Sequence, residues 1–227
     1  MATTLYLRVA TAANPPTTGE KSTALPVGTA NSNTGTGFED LSLSTTIGSA
    51  QTSKQRTSLA QTAHQDGLIA RFTSPALDAQ TIAANTWTYG SAAVEPNSNA
   101  NANWIASLYV WRPGTSAVVG FVYDSDTGLG APQEFEVTDV AGRVFTFSGA
   151  EVTAQADDVL VFEVWYHAAQ SKATAYALDF YFDGATKVVA SQTSDIGSYI
   201  ETPGTLTFGG GAPANKRRYS ITLTGVG

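Results

Sequence analysis

The run Val159-Leu160-Val161-Phe162-Glu163-Val164-Trp165-Tyr166-His167 constrains this chain more than any other segment. Its β-branched and aromatic residues suit a pleated strand and trace no helical stripe. Alternation places Leu160, Phe162, Val164 and Tyr166 on one face. Val159, Val161, Glu163, Trp165 and His167 take the other. Such a strand needs neighbours, and the sequence supplies them. Residues 176–182 alternate in the same way, with Tyr176, Leu178, Phe180 and Phe182 opposite a mixed face of Ala177, Asp179, Tyr181 and Asp183. Residues 104–112 form another aromatic and β-branched run, halted by Pro113-Gly114, and 117–124 follow after a hairpin-length gap.

Shorter runs complete the pattern. Leu68, Ala70 and Phe72 alternate with Ile69, Arg71 and Thr73 before Pro75, and Thr86-Trp87-Thr88-Tyr89 opens a strand toward Val94. Residues 134–137, 144–147, 187–190, 205–208 and 219–224 read as further strands, with Ala141-Gly142 as a turn and the Asn-rich 97–103 as a loop. Short strands at regular spacing predict an all-β fold over residues 67–227, an antiparallel β-sandwich of jelly-roll type. Phe162 and Phe180 are its expected core residues.

Residues 1–66 read as a separate N-terminal region. Leu5, Leu7 and Val9 alternate as a half-buried strand, and 11–46 form a long polar arm of Thr, Ser, Asn, Gly, Ala and Pro. Phe38, Leu41 and Leu43 are spaced along it as anchors, with Leu25 and Ile47 as lesser ones. Composition favours a solvated linker or loop; the sharper reading is an extended arm that orders only against a neighbouring subunit. Residues 49–65 are the one segment that could be helical.

Composition removes whole classes of function. The chain has no cysteine, so thiolate metal sites, disulfides and thiol nucleophiles are excluded. Its net charge of −7 disfavours a nucleic-acid partner. No apolar run approaches the ~20 residues of a helical membrane span, and residues 1–8 lack the pattern of a leader. Charged residues are 14% of the chain, against roughly 25% in ordinary domains.

Motifs for chemistry are few. Dinucleotide, Walker and Gly-x-Ser-x-Gly patterns are absent, and neither His64 nor His167 has a metal-binding companion at close spacing. Asp124-Ser125-Asp126-Thr127-Gly128 with Glu134 resembles a calcium loop, but Gly130 and Pro132 interrupt it and a third ligand is missing, so a plain turn is expected. Glu163, Trp165 and His167 with Asp179 and Tyr181 make an outward set of carboxylates and aromatics. If the two strands were neighbours, Glu163 and Asp179 could approach the roughly 5–9.5 Å of a glycosidase pair. Trp165 and Tyr181 could equally form a sugar platform, or a face that meets another protein. The expectation is a non-enzymatic chain without cofactor or metal, and Trp165, His167, Tyr181, Phe38, Leu41 and Leu43 are its candidate interface residues.

Residues 67–72, Thr86-Trp87-Thr88-Tyr89, 104–113 and 152–165 resemble tailed-bacteriophage virion proteins, namely small β-sandwich capsid decoration (cement) proteins and tail or fibre subunits. The resemblance covers about residues 65–185 and brings no catalytic residues. It implies a structural role in the virion as a homo-oligomer, with a trimer favoured. Its partners would be other virion proteins, a major capsid protein or tail components. The alternative is a carbohydrate-binding host-attachment module or a tail/fibre subunit.

Overall fold

Turn residues cut the chain into segments too short and too β-branched for helix, and fourteen strands result among the described residues. The structure is a computed structural model describing residues 1–12, 15–16, 30–31, 39–48, 52–57, 65–124, 141–168, 174, 176–184 and 198–209. The strands are β1 (Thr3–Thr11), β2 (Ala30–Asn31), β3 (Glu39–Ser44), β4 (Thr52–Thr57), β5 (Gln65–Ala76), β6 (Gln80–Ile82) and β7 (Asn85–Val94). They continue with β8 (Ala102–Arg112), β9 (Ala117–Asp124), β10 (Ala141–Gly149), β11 (Val152–Ala154), β12 (Val159–Ala168), β13 (Ala177–Phe182) and β14 (Tyr199–Thr202).

The all-β expectation holds. One sheet runs β4-β13-β7-β14-β1-β3-β5-β12-β8-β9, with β10 also on β7 and β2 also on β5, while β6 and β11 pair separately. Along one edge of β7 lies β10, and along the other β14 and then β13. Aromatic contacts show how the sheet rolls. Phe72 of β5 meets Phe180 and Phe182 of β13, and Phe162 of β12 meets Tyr89 of β7 with centroids 4.8 Å apart. Two layers therefore face each other across the core. They are joined through β14, β1 and β3, so the architecture is one rolled sheet nearly closed into a barrel rather than a plain jelly roll.

The N-terminal region does not stand apart. β1 and β3 lie in the middle of the sheet, and Leu5, Leu7, Leu41 and Leu43 are buried in the main core. Pairing is mostly antiparallel, but β3 and β2 run parallel to β5. The helix considered for 49–65 is not formed where the chain is described, since 52–57 is the edge strand β4 against β13. Ala141-Gly142 lies within β10 and is not a turn. The segment 205–208 contributes only an isolated bridge, Leu77 to Phe208. The strands expected at 134–137, 187–190 and 219–224 lie outside the described residues.

Phe162 and Phe180 are fully buried, as the alternation requires. The opposite face of β12 is buried as well. Val159 and Val161 pack with Tyr109 and Trp111, and Trp165 packs with Leu68 and Ile105. A register shift between Val164 and Trp165 explains Leu68. Val164 pairs with Ala70 and Trp165 with Leu68, leaving Ile69 as the extra residue. Ile69 and Ala70 then both enter the main core, and Leu68 turns to the other face instead of sharing one with Phe72.

Candidate functional site

The densest group of polar side chains lies on that second buried face, where β5, β12 and β8 are consecutive. The ladder sets Glu163 opposite Arg71 on one side and Ser107 on the other, and all three are buried. A carboxylate in such a place needs donors, because removing it from water without them costs several kcal/mol. Glu163 has them. The Tyr109 hydroxyl donates to Oε1 at 2.9 Å, and the Trp165 indole N–H donates to Oε2 at 3.0 Å.

Arg71 balances the charge at longer range. One guanidinium nitrogen is 3.8 Å from Glu163 Oε1, while Nε donates to Asp40 Oδ1 at 2.7 Å and a second terminal nitrogen lies 2.6 Å from the same oxygen. Asp40 sits on β3, at the rim, 32% exposed. The guanidinium thus leads from a half-exposed carboxylate to a buried one. Ser107 donates to Asp124 Oδ1 at 2.7 Å, extending the polar line to β9. The set spans β3, β5, β12, β8 and β9, so it ties together five adjacent strands.

Two more carboxylates are used in the same way. Asp158 receives Arg112 through two bonds of 2.8 Å and the backbone N–H of Gln155 at 2.8 Å, fixing the turn before β12. The hydrogen bond to Asp158 raises the Arg112 pKa. Asp183, with φ 56°, accepts Arg8 Nε at 2.9 Å, the Val9 N–H at 3.0 Å and the Gly184 N–H at 2.9 Å. It clasps β1 to the end of β13. Gly48 packs against this carboxylate, where a Cβ would overlap it.

The structure separates the residues proposed for sugar chemistry. β12 lies between β5 and β8, whereas β13 lies between β4 and β7. Phe162 and Phe180 both point into the core, so Glu163 and Asp179 point away from it on opposite sides. They cannot form a carboxylate pair. Trp165 is fully buried and bonded to Glu163, so it offers neither a sugar platform nor an interface. Tyr181 and His167 are half-buried. Tyr181 has its pKa raised by burial and by Asp179. Leu41 and Leu43, expected as anchors on another subunit, are instead buried in the core of their own chain. Phe38, His64, Asp126 and Glu134 lie outside the described residues. Among those described, no cluster of three His, Cys, Asp or Glu could hold a metal.

Sequence reasoning picked out Glu163 but missed Arg71, Asp40 and Tyr109. Their one signal was placement: a lone Arg in the middle of an apolar run, like the Glu in residues 159–167, is a charge that must find a buried partner.

No family model matches this sequence, and no curated protein matches it. Among solved structures, the fold is similar to part of a CocE/NonD family hydrolase from Staphylococcus aureus. The TM-score is 0.49 at 8% identity, covering 91% of this chain and 36% of that one. It is also similar to part of an aminopeptidase from a marine sediment archaeon, Thaumarchaeota archaeon, with TM-score 0.40 and 9% identity, covering 60% and 25%. This chain spans little more than a third of the first and a quarter of the second. Likenesses at this level carry no argument about activity.

Proposed function

We propose that this chain is a non-enzymatic virion structural protein, a decoration subunit that reinforces a phage particle. The virion setting comes from the sequence resemblance alone. The structural role is supported by one observation: Glu163, the residue best placed by sequence for acid–base or sugar work, is spent as an internal brace with Arg71, Tyr109 and Trp165. Asp158 and Asp183 are used likewise. A subunit that must withstand load gains from such ties between strands distant in sequence. The net charge of −7 would suit a basic shell surface, steering orientation more than affinity.

The test is quantitative proteomics and imaging of particles released by cells that carry this gene. The expected result is this chain at a fixed copy ratio to the shell or tail protein. Its absence from particles that are otherwise complete would remove the reading.

A further inference from the structure

The outward side of the rolled sheet has two unlike halves. Across β5, β12 and β8 it is buried, with Arg71, Glu163, Ser107 and Tyr109 on it. Across β10, β7, β14, β1 and β3 it is largely half-buried or exposed. The alternate positions of these five strands, Tyr89, Ile200 and Leu5 among them, fill the main core. Pairing aligns the outward residues in rows across the strands. Thr146 lies beside Thr88, Thr88 beside Glu201, and Glu201 beside Thr4. In the next row Gly90 lies beside Tyr199, Tyr199 beside Tyr6, and Tyr6 beside Ser44. Most side chains in these rows end in a hydroxyl. The face is also flat, because Tyr199 lies down over Gly90, where a Cβ would come within 2.6 Å of its ring.

The charged groups in these rows are engaged within the chain. Glu201 Oε2 accepts the Thr4 hydroxyl at 3.0 Å. Arg8, in the following row beside Ser42, gives Nε to Asp183 and a terminal nitrogen to the Thr46 carbonyl. A polyanion therefore meets no spare cation in these rows. A protein partner meets little of the apolar area that interface cores require. Hydroxyls both donate and accept, as those of a sugar do. The half-buried Tyr6 adds an amphipathic ring, suited to the C–H side of a sugar. Neighbouring strands stand about 4.8 Å apart, close to the repeat of one unit in an extended β-linked glycan. A glycan laid across the strands would thus meet a new polar side chain at each unit. The same face also holds an unmet hydrogen bond. Thr73 Oγ1, beside Ser42, is buried without a partner, a cost that a hydroxyl reaching in past Ser42 would remove.

We propose that this face binds a neutral, extended β-linked glycan running across β10, β7, β14 and β1. The inference stands on the hydroxyl rows and holds or fails independently of a virion role. The probes are cellohexaose and chitohexaose, both neutral, with a hyaluronan hexasaccharide as the carboxylate-bearing comparison. Calorimetric titration of the full chain should give saturable binding of a neutral probe, with a Kd of about 1 mM or tighter and at least about tenfold weaker binding of hyaluronan. Thr88→Val/Thr146→Val removes two hydroxyls and keeps the β-branched shape. Its Kd should rise about tenfold, the loss of two hydrogen bonds, while the urea midpoint stays unchanged. Thr146→Val alone, at an exposed position, should show part of that rise even if the double variant does not fold. No saturation by either neutral probe up to about 10 mM would overturn the proposal. Equal affinity for hyaluronan, or an unchanged Kd in the folded variants, would do the same.

Discussion

The Tyr109 hydroxyl donates to Glu163 Oε1 across 2.9 Å, joining β8 to β12 on the buried face away from the main core. The bond leaves neither partner available to solvent, and it determines what loss of Glu163 should do. Glu163→Ala removes the acceptor that the Tyr109 hydroxyl and the Trp165 N–H share, and the buried countercharge facing Arg71. We expect a loss of about 3–5 kcal/mol, the range for breaking a buried ionic arrangement. Glu163→Gln keeps one acceptor for either donor and should lose less. Urea unfolding of both variants checks the order.

Asp183 and Gly48 should behave as one unit. Asp183→Ala removes three accepted bonds, and Gly48→Ala pushes a Cβ into the carboxylate. Each should cost about 1–3 kcal/mol, as expected when buried donors lose their acceptor. The double variant should cost clearly less than the sum, because both act on the same contact. Additive losses in thermal unfolding would show that the clasp is not shared.

Stability should fall at alkaline pH because of Tyr89. Burial pushes its phenol far above the usual value of 10.0, opposed in part by the Ser91 hydroxyl bonded to it. The folded state therefore holds this proton more tightly than the unfolded chain does. The stabilisation is complete below about pH 10 and declines as pH rises beyond it, by up to about 1.4 kcal/mol per pH unit. Tyr89→Phe should flatten that decline. Urea midpoints on either side of pH 10 for both proteins give the comparison.

Phe162 and Phe180 fill facing layers of the main core, and each should cost about 3–5 kcal/mol on replacement by Ala. Equilibrium unfolding measures both. A loss below about 1 kcal/mol, typical of surface sites, would contradict their placement.

The physical reasons for what could be read from sequence are visible in individual strands. β13 alternates half-buried and buried residues, so period 2 assigned its core face correctly. β12 obeys the same period, but both of its faces are buried. Alternation alone cannot reveal that. The continuous apolar character of residues 159–166 was the available signal, since two-sided burial removes the polar alternate. Leu68 was misplaced because a bulge at Ile69 changes the face without changing the composition. β3 was hidden in a polar arm, although Leu41 and Leu43 alternate with Asp40, Ser42 and Ser44. β4, Thr-Ser-Lys-Gln-Arg-Thr, has no apolar alternate and owes its form to the neighbouring β13. Glu163 was legible as a candidate, but its partners come from strands whose order no local pattern encodes.

The claim on which the functional reading rests is that Glu163 braces the sheet instead of reacting. A double-mutant cycle between Tyr109→Phe and Glu163→Gln, read by urea unfolding of the two single variants and the double, tests it most directly. A brace predicts coupling of about 1–2 kcal/mol, since a bond to a charged group in a buried site is lost once and not twice. Coupling indistinguishable from zero would contradict the account, and would return Glu163 to the groups free for chemistry.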